Sequence, residues 1–486
     1  MKLVYVCEGK AFSSIGFSEK MEASTAEAND LIEKLLALGI VSIKSNDAKG
    51  HVASHYVGSP DSDEVYEFKF VGLAMSNDLL IVSYPKYFQS RKPSVEELRL
   101  ILRAVRSTRG LAVVPQFEDG GERTGEMLHV MLSLLDLYAE YGEYSNYIQD
   151  KEVNGSGFID WNRTINGHLP VLSRGRPVYI ELETRKLSRN SSDYITRLHR
   201  AVLTECSRIL LETGVSTLLG LGEVWLSDES VDDLGDINIF NRLLRQERGS
   251  QFVDWKLQVL SLLEQYLLRR QSEVHHDEIQ ALGTTSFYSI WEQACGVALG
   301  NLLHNRLDEL GLNLTVEWLA HRADTLLSII PRPKWERLSS EGYIVCQDVD
   351  TLIPDAISFA VDSQERRMFC IYDAKYYLPT RSGEMKNQPG LESVTKQFLY
   401  QSAYKKFLLD HGFDAALNAF LVPNSENELI ELGRVSFREV MGVVDAPLSN
   451  YVVMWALPAN KVLEAYVRGA NISEELRAIW DSNENL

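Results

Sequence analysis

The sequence predicts an α/β protein in three parts: a β-rich N-terminal domain over residues 1–120, a mainly helical middle region over 121–280, and a C-terminal α/β domain over 281–486. Three observations carry this reading. Apolar runs of strand length dominate the first ninety or so residues. Apolar stripes at helical spacing dominate the middle. From residue 281 onward, helical patterns and apolar strand runs alternate, as they do where helices pack on a sheet. A chain of 486 residues also exceeds one ordinary core.

In chain order, strands are expected at 3–7, 65–75 and 79–84, with Asn77-Asp78 as the turn between the last two. A helix at 24–38 stops at Gly39, a residue suited to the left-handed end of a helix. Ser94 caps a helix at 95–107, with Glu97 placed to complete a capping box. In the middle region, helices are expected at 124–141, 194–212 and 253–270. The segment Gly157-Phe158-Ile159-Asp160-Trp161-Asn162-Arg163-Thr164-Ile165 reads as an edge or arm rather than a helix, and the acidic stretch 227–236 as a solvated loop. The C-terminal part opens with a helix at 286–310, followed by an irregular section, Ile330-Pro331-Arg332-Pro333-Lys334-Trp335. A hairpin then fills 352–377, a helix 391–410, strands 415–422 and 451–457, and a helix from about residue 460.

Hydrophobic residues at 45% and charged residues at 24% are values of a soluble globular chain. No apolar run reaches the roughly 18–20 residues of a membrane span, so no membrane partner is expected. The N-terminus lacks the apolar core and small-residue cleavage site of a signal peptide. The five cysteines are scattered without CxxC spacing, against structural zinc, an iron–sulfur cluster or a disulfide framework. A reducing cytoplasm is the expected location. The net charge of −19 argues against strong independent DNA binding. It leaves room for a protein whose nucleic-acid substrate is delivered by a partner.

The hairpin carries the chemistry. Two apolar runs, Leu352-Ile353-Pro354-Asp355-Ala356-Ile357-Ser358-Phe359 and Met368-Phe369-Cys370-Ile371-Tyr372-Asp373-Ala374-Lys375, flank a polar turn. Strand side chains alternate, so Asp373 and Lys375 share a face. Buried carboxylates and an ammonium are costly unless they are paired or bind a metal. A Pro-Asp strand beside an Asp-x-Lys strand is the constellation of a metal-dependent nuclease. The tripeptide alone means little, because Asp47-Ala48-Lys49, Glu8-Gly9-Lys10 and Glu67-Phe68-Lys69 also fit it and read as structural or solvated. Two further elements support the later set. Glu292 shares a helix face with Tyr288, Cys295 and Leu299. Gln397, Gln401 and Tyr404 recur at i, i+4 and i+7 and form a polar stripe on the helix after the hairpin.

Together these elements resemble the PD-(D/E)xK nuclease superfamily, whose core runs helix, acid-bearing hairpin, helix, strand. The resemblance implies that Asp355, Asp373, the carbonyl of Ala374 and Glu292 hold Mg²⁺, with Mn²⁺ as an alternative, and that Lys375 orients or activates the attacking water. It also implies that Gln397, Gln401 and Tyr404 orient Lys375 or contact the DNA backbone. A narrower resemblance rests on Phe70-Val71-Gly72-Leu73, Leu80-Ile81-Val82-Ser83-Tyr84-Pro85-Lys86-Tyr87, Ile159-Asp160-Trp161, Arg163-Thr164-Ile165, Pro331-Arg332-Pro333-Lys334-Trp335, Gln388-Pro389-Gly390 and the Gln401/Tyr404 pair. These look like the LlaJI-type, McrC-like restriction subunits. That resemblance implies DNA as substrate and an McrB-like AAA+ GTPase hexamer as partner, engaged by the N-terminal part. In keeping with it, the sequence holds no GxxxxGK[ST] nucleotide loop of its own. The basic stretch 174–208 reads equally as a DNA or motor contact and as a solvated face balanced by its own acids. Two rival readings are a self-sufficient repair nuclease of the RecB or Cas4 sort and a non-catalytic scaffold with a nuclease-like fold.

Overall fold

The computed structural model describes residues 2–44, 64–76, 79–108, 126–271, 279–339, 342–347, 351–381 and 383–481. The Asn77-Asp78 turn and the Asp47-Ala48-Lys49 tripeptide lie outside them. The chain forms two compact units. One comprises residues 119–282 with 1–2 and 75–80; the other comprises 3–74, 81–118 and 283–486.

In the first unit, helices Glu126–Tyr141, Tyr194–Glu212 and Asp254–Arg270 pack through buried Leu128, Leu135, Leu198, Val202, Leu260 and Leu263. Their stripes follow the 3.6-residue period read from the sequence. Strands Tyr147–Val153, Glu183–Arg189 and Phe158–Ile159 form a three-stranded antiparallel sheet. The segment expected to be an edge or arm rather than a helix does supply an edge strand, Phe158–Ile159, but a helix, Trp161–Gly167, follows it. Asp160 makes the difference: its side chain accepts from the Arg163 N–H at 3.2 Å and satisfies an otherwise orphaned donor of the first turn.

In the second unit, the N-terminal helices Thr25–Ala37 and Val95–Ser107 both carry complete capping boxes, Ser24/Glu27 and Ser94/Glu97, and a shorter helix, Ser14–Met21, precedes them. The expected strand at 65–75 is two strands, Val65–Phe68 and Val71–Ser76, that belong to different sheets. The C-terminal sheet has five strands in the spatial order Ala356–Val361, Arg367–Ala374, Ala415–Asn424, Tyr451–Pro458, Ile430–Ser436. The first pair is antiparallel, the next two pairings are parallel, and the last is antiparallel.

Alternation sorts the central strands between two cores. Met368, Cys370, Tyr372 and Ala374 face a core built with helices Phe287–Ala298 and Ala459–Arg468. Phe369 and Ile371, with Ile357 of the neighbouring strand, face Tyr400, Tyr404 and Phe407 of helix Leu391–Asp410. Strands covered on both faces read as unbroken apolar runs, and these do. The helix expected over 286–310 stops at Ala298. Gly300 takes φ +66°, and a Cβ there would lie 2.3 Å from Asn471 Nδ2, so the chain turns where only glycine fits. The section around Trp335, expected to be irregular, contains a hairpin pairing Lys334–Ser339 with Gly342–Gln347. Among the described residues no helix is long and apolar enough to cross a membrane.

Candidate active site at the carboxyl edge of the sheet

Asp373 is the penultimate residue of strand Arg367–Ala374, and Lys375 follows the strand. The Lys375 N–H donates to the Leu421 carbonyl at 2.8 Å, which extends the parallel ladder by one step. The same carbonyl accepts from the buried Trp291 indole at 3.1 Å, so the helix bearing Glu292 is pinned at that spot. Asp355 stands one residue before strand Ala356–Val361, and its Oδ2 accepts from the Ala374 N–H at 2.8 Å. By the alternation that puts Ile357 and Ile371 on one face, Asp355, Asp373 and Lys375 share that face. Lys375 Nζ lies 2.8 Å from Asp373 Oδ2, with only 21% and 9% of the two side chains exposed. Asp355, Asp373 and Lys375 therefore gather at the carboxyl ends of the parallel strands, where ligands of open α/β sheets bind.

The electrostatics are those of crowded acids in a partly buried site. Burial, and next the charge of Asp373, push the Asp355 carboxyl up to about 7. Burial also raises Asp373, against the pull of Lys375, and the two carboxyls are close enough to hydrogen-bond. Glu292 is raised by burial too, partly offset by Lys375. Burial disfavours the Lys375 ammonium, but Asp373 and Asp355 outweigh it and keep it charged.

The polar stripe on helix Leu391–Asp410 has the predicted spacing but faces the sheet. Gln401 donates to the Ser449 carbonyl at 2.8 Å and accepts from the Ser449 N–H at 3.0 Å and from Asn418 Nδ2 at 2.9 Å. The Tyr404 hydroxyl donates to the Leu326 carbonyl at 2.8 Å. Both side chains are buried, and the bonds they make run to backbone and to Asn418. Gln397 is also fully buried, and its amide makes no hydrogen bond among the described residues.

The same helix reaches the acids through residues that the sequence reading passed over. The Tyr400 hydroxyl donates to the Ile353 carbonyl at 2.9 Å, and Asp373 and Asp355 add to the burial that raises it. Lys396 draws Asp373 downward. The pair sits at i and i+4, a spacing that could have found them. Asn301 was also missed. Its Nδ2 donates to the Asp355 carbonyl at 3.2 Å, and its Oδ1 accepts from the Ile357 N–H at 3.0 Å. It clamps the backbone on both sides of Ala356. Among the described residues no three His, Cys, Asp or Glu side chains converge into a ready-made metal cage.

Fold and site thus define a mixed α/β protein with a carboxylate–lysine cluster at its sheet edge. The model of the LlaJI restriction endonuclease family matches residues 70–310 and 319–449, and the chain belongs to that family. It is 27% identical over 303 residues to the YdjA component of the type II restriction enzyme BsuMI from Bacillus subtilis (strain 168). That match covers 61% of this chain and 58% of the relative, so the chain spans less than two thirds of the relative's length. A Thermococcus gammatolerans assembly of McrB AAA+ hexamers with bound McrC is similar at 12% identity, over 98% of this chain and 100% of that one, with a TM-score of 0.36. A cryo-EM structure of the McrBC complex from the same organism covers 54% of this chain and 80% of its own, at 13% identity and a TM-score of 0.22.

Proposed function

We propose that this chain is the DNA-cutting subunit of a restriction system, with a PD-(D/E)xK core that hydrolyses phosphodiester bonds when an McrB-like AAA+ GTPase hexamer engages its N-terminal part. The observation that carries this reading is the convergence of Asp355, Asp373 and Lys375, with Glu292 beside them, on one sheet edge. Membership of a restriction endonuclease family supports it.

The donor set suits Mg²⁺. Two aspartates and a glutamate are hard oxygen donors, and the burial and the neighbouring Asp373 charge that together lift Asp355 to about 7 are what a divalent cation offsets. Mg²⁺ keeps several waters, so a site that is not a closed protein cage still fits it. Asp355 and Asp373 would hold the ion, with Glu292 and the Ala374 carbonyl completing the shell directly or through water. When bound, the ion would stabilise charge developing on the phosphate and favour hydroxide formation. Lys375, kept charged by the two aspartates, orients the attacking water and offsets charge at the phosphate. Tyr400 holds the Ile353 carbonyl and so sets the approach of the chain to Asp355.

The test is cleavage of duplex DNA by the chain with an McrB-like AAA+ GTPase, GTP and Mg²⁺. Lys375→Ala and Asp373→Asn are expected to lose at least about a thousandfold in rate while keeping the fold. Wild-type cleavage by folded Asp373→Asn protein would overturn the assignment.

A further inference from the structure

The carboxylate–lysine cluster leaves a cleft of about 820 Å³ in the same compact unit without a role. Tyr377, two residues beyond Lys375 in the chain, lines it together with Arg381 and Gln388. Lys86, Gln89 and Asn424 belong to the same lining. Two segments singled out in the sequence, Tyr84-Pro85-Lys86-Tyr87 and Gln388-Pro389-Gly390, therefore contribute to the lining of one cleft.

The Lys86 wall is anchored to the strand that carries the acids. Tyr376 is buried, and its hydroxyl donates to Glu8 Oε2 at 2.5 Å. The Lys86 N–H is shared between that same oxygen at 3.2 Å and the Tyr376 hydroxyl at 3.1 Å. Lys86 Nζ lies 4.4 Å from the centroid of the Tyr376 ring. The carboxylates on the lining are answered: Glu67 by Lys69 at 2.7 Å and Glu426 by Arg381 at 3.3 Å. In a chain of net charge −19, this wall is charge-balanced and rich in donors. Tyr377, at 40% exposure, adds an aromatic face.

We propose that this cleft seats the sugar–phosphate backbone of the DNA strand being cut. Lys86 meets a phosphate, Gln388 hydrogen-bonds the backbone, and Tyr377 stacks on a sugar or base. The proposal rests on the nuclease reading and adds the path of the strand. Its contacts go to the backbone, so they position the duplex without reading its sequence.

The test measures fluorescence anisotropy of a labelled DNA duplex titrated with the full chain carrying Asp373→Asn, in complex with an McrB-like AAA+ GTPase, across a range of salt. Adding Lys86→Gln is expected to weaken binding about tenfold, the loss of one charge-assisted hydrogen bond, and to lower the salt slope by about one. Gln388→Ala, on an exposed loop, is expected to weaken binding about threefold without changing the slope. Lys405→Gln, which removes an exposed cation outside the cleft, is expected to leave affinity and slope unchanged. Thermal midpoints report whether each variant folds, and Gln388→Ala keeps the test open if Lys86→Gln does not. Unchanged affinity and slope on losing Lys86 or Gln388, an equal loss with Lys405→Gln, or no DNA binding by the complex would each overturn the proposal. Undiminished cleavage with Asp373→Asn would sink the nuclease reading instead, and the affinity pattern would still decide the cleft.

Discussion

Asp355 is the residue on which the site's charge balance turns. Its carboxyl is raised to about 7, first by burial and then by Asp373, so its neutral form favours the fold. A carboxyl raised on folding gives its full contribution below its unfolded value of about 3.9, and that contribution is lost as pH climbs to about 7. Asp355→Asn is therefore expected to raise the metal-free unfolding midpoint at pH 8 and to change it little at pH 4, as read by differential scanning calorimetry. Mg²⁺ is expected to stabilise the wild type at pH 8 and to lose that effect in Asp355→Asn. A stabilised wild type with an equally stabilised variant would remove Asp355 from the metal site. Tyr400→Phe removes one hydrogen bond to the Ile353 carbonyl. It is expected to lower the cleavage rate several-fold with a stability change of about 1 kcal/mol, checked by kcat beside urea unfolding. At this scale the acids were legible because a charge in an apolar run is anomalous. Tyr400 was not, because a tyrosine in a helix is ordinary until the carboxylates are placed beside it. Gln401 and Tyr404 show the converse. Their spacing was right, but periodicity cannot say whether a polar stripe faces water or a buried partner such as Asn418.

Among the elements, the helix that carries Glu292 and the hairpin that carries the aspartates are joined by a short clamp. The helix ends at Ala298, Gly300 turns the chain, and Asn301 binds backbone on both sides of Ala356. Asn301→Ala leaves the Ile357 N–H and the Asp355 carbonyl without this partner, at a cost of about 1–3 kcal/mol. It is also expected to lower cleavage more than Mg²⁺-independent folding, because it loosens the approach to Asp355. Urea unfolding and kcat measured on the same preparation check both. Helices with boxed caps, such as Val95–Ser107, were readable to the residue because the signal is local. The overlong helix at 286–310 was not, since Gly300 is forced by Asn471, a contact far away in the sequence. The helix Trp161–Gly167 was hidden for a different reason: seven residues are too few to show a period, and only the Asp160 cap announced it.

On the scale of the whole molecule, the second compact unit draws on both ends of the chain. Glu97 accepts from Arg91 at 2.6 and 2.7 Å and from Asn460 Nδ2 at 2.8 Å, and Arg91 also donates to the Ser425 carbonyl at 2.6 Å. Thr108 meets the Tyr466 hydroxyl at 2.9 Å. Hydrophobic periodicity could suggest strands at one end and an α/β unit at the other, but it carries no signal for bonds of this reach. Burial acts to raise Glu97, yet Arg91, the Ser94 amide and Asn460 overcome it and hold the carboxyl down to about 2. A carboxyl lowered on folding stabilises above its unfolded value of about 4.3 and loses that contribution as pH falls to about 2. Wild type is therefore expected to lose stability across that window, and Glu97→Gln to start lower at pH 7 and show a flatter acid limb in thermal unfolding. The central claim is that the edge formed by Asp355, Asp373 and Lys375 cuts DNA. It is tested most directly by single-turnover cleavage of duplex DNA by wild type and Lys375→Ala, assayed side by side with the AAA+ partner, GTP and Mg²⁺, then with the metal chelated. Wild type is expected to cleave, and chelation or Lys375→Ala at unchanged folding to abolish cleavage; equal cleavage by folded Lys375→Ala protein would overturn the assignment of this edge.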